Sequence, residues 1–123
     1  MTHKATSPIY ATTARTATPT AVTINTSKAM GLVVVVNVTA SSATPSVVFT
    51  IDAKDSVSGA FYTLLTSAAI TGTGTTALKI HPDLTVAANV AASDLLLQET
   101  RITATHGDTD SITYTVSAIL MES

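Results

Sequence analysis

Among 123 residues there is no cysteine and no tryptophan, and charged side chains make up only 11% of the chain. The first absence excludes disulfides, thiolate metal sites and cysteine nucleophiles. The fold must then rest on its core, and a chain of this length buries roughly two-thirds of its unfolded surface, enough for one domain. A formal net charge of -2 offers no basic footprint for nucleic acid or an anionic membrane surface. No apolar run approaches the ~18 residues of a membrane-spanning helix. The opening stretch MTHKATSPIYATTART lacks the apolar segment of a secretory signal, so none is expected.

What the chain does have is threonine, about a fifth of all residues, and runs of β-branched side chains, both of which favour strands. The strongest run is Gly31–Thr39, GLVVVVNVT. Alternate residues of a strand point to opposite faces, so Leu32, Val34, Val36 and Val38 share one face. Val33 and Val35 occupy the other, where a half-buried strand would carry polar residues. The expectation is that the first set holds the fold and that Val33 and Val35 face a sister subunit.

Other strands are expected over 20–25, 46–55, 61–66, 77–81, 95–106 and 111–121, separated by turn signals such as Lys54-Asp-Ser-Val-Ser-Gly59 and Gly107-Asp-Thr-Asp110. Leu84–Ser93 (LTVAANVAAS) is Ala-rich and reads as a loop with at most one helical turn. Seven or eight short strands with no internal repeat define an all-β fold, an antiparallel β-sandwich of jelly-roll type. Residues 1–18 read as an extended N-terminal arm, with the sandwich over 19–123. Pro8 and Pro19 discourage pairing there, and Ile9 and Tyr10 are the large apolar side chains available to anchor the arm on a partner. Fully extended, such an arm spans up to about 60 Å. It is expected to be dispensable for folding and needed for attachment.

Motifs with chemistry are sparse. Gly72-Thr-Gly-Thr-Thr76 lacks the spacing and the lysine of a phosphate-binding loop and reads as a turn. His3, His81 and His106 stand apart from carboxylates at metal-ligand spacings. Asp108 and Asp110 form a D-x-D pair that a turn explains without calcium. No G-x-S-x-G elbow occurs. Phe61 and Tyr62 together offer one ring for stacking on a sugar, the basis of a glycan-binding alternative. No catalytic residue, cofactor or metal site is expected, and the chain reads as a non-enzyme.

The segments VVFTIDAKDSVSGAFYTLLTSAAITGTGTTALKIHPDLT (Val47–Thr85) and RITATHGDTDSITYTVSAIL (Arg101–Leu120) resemble small structural proteins of tailed bacteriophage virions. In such proteins a D-x-x-SG-x-Y/F-Y-x-LL-x-S-x-AI run precedes a THGD-x-DSITY hairpin. The resemblance covers roughly the last ninety residues, leaves the tail before Thr20 outside it, and carries no active-site residues. It implies a capsid decoration (cement) protein, with a tail or fibre component as the rival. The implied partners are the major capsid protein and further copies of the chain, as a trimer, and the implied location is the virion surface after assembly in the bacterial cytoplasm.

Overall fold

The computed structural model describes residues 3–122. Nine strands follow in order: β1 (His3–Arg15), β2 (Val22–Asn25), β3 (Ala29–Ser41), β4 (Val47–Lys54), β5 (Phe61–Thr66), β6 (Gly74–Ile80), β7 (Ala91–Ala92), β8 (Glu99–His106) and β9 (Ile112–Glu122). They form a five-stranded sheet ordered β1-β9-β3-β6-β7 and a four-stranded sheet ordered β2-β8-β4-β5. Strands β1 and β9 pair, then β2 and β8, β3 and β6, and β4 and β5, every pair antiparallel. This nesting of early strands on late ones is a jelly roll. Strand β7 is an addition, a two-residue parallel partner of β6.

The core sits between the sheets and follows side-chain alternation. Leu32, Val34, Val36 and Val38 of β3 are buried, as are Val47, Phe49, Ile51 and Ala53 of β4 and every second residue of β9 from Ile112 to Leu120. Each large apolar side chain among them contributes about 1.5–3 kcal/mol relative to an exposed one. Phe49, Tyr10 and His106 surround the Tyr114 ring, with centroid separations of 5.6, 6.3 and 5.9 Å respectively. The Arg15 guanidinium lies 5.1 Å from the Tyr10 ring centre and 5.3 Å from that of Tyr114.

The segment expected to be a free arm is, from His3 onward, the edge strand of the larger sheet. Its register runs from His3 opposite Glu122 to Arg15 opposite Ile112, with shifts between Pro8 and Tyr10 and between Tyr10 and Thr13. A bulge lets two consecutive residues lean to the same side. Ile9 and Tyr10 are accordingly both in the core, 8% and 6% exposed, and Pro8 is tolerated because β1 is an edge. The connection to β2 is tied down as well: the Tyr10 hydroxyl donates to the Thr20 carbonyl at 2.7 Å, and the His106 N–H donates to Thr18 Oγ1 at 2.9 Å. The expected boundary after residue 18 therefore divides two parts of one packed unit. Met1 and Thr2, which the arm reading also included, lie outside the described residues.

Two further expectations change. Residues 84–90 are a loop as expected, with one turn closed by the Ala91 N–H on the Ala87 carbonyl at 2.9 Å and Asn89 at φ 64°, but Ala91 and Ala92 beyond it pair with β6 as β7. Half of the expected Gly/Thr turn is strand, since Gly74 to Thr76 pair with Val38 to Val36.

Candidate interaction faces

Of the histidines and aspartates singled out in the sequence, His81, His106, Asp108 and Asp110 are engaged in local structural contacts. His106 ends β8, its Nε2 lies 3.0 Å from the Tyr114 hydroxyl, and burial, followed by the nearby Arg15 charge, lowers its pKa. Burial likewise pushes the Tyr114 phenol up to about 12. His81 Nδ1 accepts from the Asp83 N–H at 3.0 Å. Asp108 accepts from the Asp110 N–H at 3.1 Å, and Asp110 accepts from the Thr44 N–H at 3.2 Å, the local turn the D-x-D spacing suggests. Among the described residues no three His, Cys, Asp or Glu side chains gather as a metal site. The side chain of His3 lies outside them. Gly74 opens a strand and not a helix, so the Gly/Thr segment presents no ring of helix-terminal N–H groups to a phosphate.

Outside the core, one face stands out. Strand β3 runs between β9 and β6, with Val33 opposite Ile119 and Lys79, and Val35 opposite Ser117 and Ala77. Val33, Val35 and Ile119 are half-buried on the side of the sheet away from the core. At one end of this stripe a groove of about 280 Å³ is lined by Val33, Ile119, Met121 and Leu84, with Lys4 and Lys79 also in its wall. Gly31 contributes to its floor, and a Cβ there would lie 2.8 Å from the His81 ring. A strand glycine often marks such a close approach. Of the four expected interface residues, Val33 and Val35 thus lie side by side with Ile119 on an outer face, whereas Ile9 and Tyr10 lie in the core. Ile119, Met121 and Leu84 were not anticipated. The first two carry a signal in the chain itself, because Thr113, Thr115 and Ser117 alternate as polar residues and then give way to Ile119 and Met121.

A second, wider groove of about 700 Å³ lies where β2 and β4 end and β5 and β8 begin. Tyr62, 47% exposed, lines it with Phe61, Lys54, Asp55, Ser27 and Gln98. Lys54 Nζ pairs with Glu99 Oε2 at 3.2 Å. The Arg101 guanidinium lies 3.8 Å from the Phe61 ring centre and binds Asp52 Oδ2 through Nη2 at 2.9 Å and Nε at 3.2 Å.

Comparison with known proteins finds no family model, no curated protein and no solved structure that matches this chain.

Proposed function

We propose that the chain is a structural protein of a tailed-bacteriophage virion, a decoration protein that binds the major capsid protein as a homo-oligomer, a trimer at threefold lattice positions, and stabilises the shell by bridging its units. The observation that carries this reading is an apolar stripe on the outer face of the larger sheet. An antiparallel sheet turned to water normally presents polar side chains, and here Val33, Val35 and Ile119 form a continuous stripe. The resemblance of Val47–Thr85 and Arg101–Leu120 to virion proteins supplies the kind of assembly. Burial would do the work: at ~25 cal/mol per Å², a few hundred Å² of apolar contact per neighbour contributes several kcal/mol before association costs. The low content of long charged side chains keeps the entropy cost of ordering that surface small.

Quantitative mass spectrometry of purified particles tests the role. Copies in numbers comparable to the major capsid protein are expected. A few copies per particle would move the protein to the tail or fibre, and absence from the particle would refute both assignments.

The face itself is tested by Val33→Lys. In a monomer the ammonium reaches water, but within an apolar contact it would be buried without a partner. Light scattering coupled to size exclusion is expected to show a monomer, with an unchanged circular dichroism spectrum. An unchanged oligomer, or loss of fold, would refute the assignment of Val33 to the interface.

A further inference from the structure

We infer that the wide groove at the end of the smaller sheet is a binding site for a neutral glycan. The inference is independent of how the chain assembles, because the groove lies at the end of the smaller sheet, whereas Val33 belongs to the larger one.

The first ground is that the walls are built and held. On one side Asp55 organises residues 55–60: its carboxylate accepts from the Val57 N–H at 3.0 Å and the Ser58 hydroxyl at 2.6 Å. Its carbonyl accepts from the Gly59 N–H at 2.7 Å, and its N–H donates to the Ala60 carbonyl at 2.8 Å. Gly59 takes the left-handed φ of 80°, open to glycine without strain. On the other side buried Thr26 clamps residues 97–98. Its N–H donates to the Gln98 carbonyl at 2.8 Å and its hydroxyl to the Leu97 carbonyl at 2.7 Å. The Ser56 hydroxyl donates to Gln98 Oε1 at 2.9 Å and joins the two walls. A site fixed before the ligand arrives loses little entropy on binding.

The second ground is the chemistry of the lining. Tyr62 offers an exposed aromatic surface, while the neighbouring Phe61 ring is already stacked under Arg101. With its Oε1 engaged by Ser56, Gln98 keeps an amide nitrogen with two donors. The Ser27 hydroxyl donates to Asn25 Oδ1 at 2.7 Å, which leaves its oxygen lone pairs to accept from a ligand. Lys54 and Asp55 already have partners within the protein, Glu99 for the first and Ser58 with Val57 for the second. The groove therefore demands no net charge from its occupant. It asks for a ligand with an apolar flat face and with hydroxyls that both donate and accept. A pyranose ring meets that description, its C–H face lying on an aromatic ring and its hydroxyls on amide, hydroxyl and ammonium groups. The groove volume of about 700 Å³ leaves room for more than one sugar ring.

The test uses the full chain. Saturation-transfer NMR with millimolar methyl glucoside, methyl galactoside and methyl N-acetylglucosaminide, followed by an array of neutral and acidic oligosaccharides, is expected to show transfer from at least one neutral sugar. Tyr62→Ala is expected to weaken that binding about tenfold, the loss of one good stacking contact, while Tyr62→Phe retains it. Should Tyr62→Ala fail to fold, Gln98→Leu takes its place with a similar expected loss. No transfer from any neutral sugar, preference for sulfated or sialylated glycans, or wild-type binding by both variants would overturn the inference.

Discussion

A chain lacking residues 1–18 is expected not to fold. The deletion removes β1, whose register on β9 includes Ala5 opposite Leu120, Ser7 opposite Ala118 and Tyr10 opposite Val116. Burial of Ile9 and Tyr10 alone contributes about 3–6 kcal/mol. That is comparable to much of the roughly 5–15 kcal/mol by which a domain is stable. Strand β9 would also be left with an open backbone edge along its length, a template for association with other chains. Circular dichroism and amide NMR dispersion are expected to show a largely unfolded or aggregated product. A cooperative thermal transition at the full-length midpoint would show that β1 is dispensable.

The second large effect is expected from Arg101→Ala. Asp52 is only 5% exposed, yet it sits on the outer side of the smaller sheet, covered by Arg101 and by Thr63, whose hydroxyl donates to Oδ1 at 2.9 Å. Removing the arginine leaves a covered carboxylate with the threonine as its remaining side-chain partner and strips the cation from the Phe61 ring. Breaking a buried ion pair on one side costs about 3–5 kcal/mol. The arginine side chain is 34% exposed, so screening brings the expected loss down to about 2–3 kcal/mol. Urea titration measures it. The double variant Asp52→Leu/Arg101→Met is expected to regain most of the loss, because an apolar pair of similar volume needs no compensating charge. A single variant within ~0.5 kcal/mol of the parent would mean that the pair is solvated and structurally idle.

Where burial is regular, the fold could be read from the chain. Strands β3, β4 and β9 alternate cleanly enough that their inward faces follow from residue type, and the short β5 shows at both ends through its turns. Strand β1 was hidden for a physical reason: its bulges break the two-residue period at the position of its two large apolar side chains. Proline and a run of Ala and Thr mask the rest. Strand β7 consists of two alanines whose pairing with β6 depends wholly on tertiary context. The outer stripe was half legible, since Val33 and Val35 violate alternation within one strand, but their adjacency to Ile119 depends on the β3–β9 register. Least visible was the wide groove. Ser27, Lys54, Tyr62 and Gln98 come from four separate segments, and only the order β2-β8-β4-β5 brings their ends together.

The nesting of strand pairs also sets the order in which the molecule can be made. Strands β4 and β5 are joined by one short loop and can pair as soon as both exist, and each pair outward closes a longer loop at greater entropic cost. The outermost closure joins His3 to Glu122, so contacts are dominated by distant partners and folding belongs to the slow, high-contact-order regime. Of the nine strands, β1 is synthesised first and its neighbour β9 last. Because β9 lies between β1 and β3, a chain that stops before Ile112 has nowhere to place its first strand and a gap through its larger sheet. Closure of the jelly roll thus waits for β9, and a chain that stops before it cannot present the Val33–Ile119 face at all.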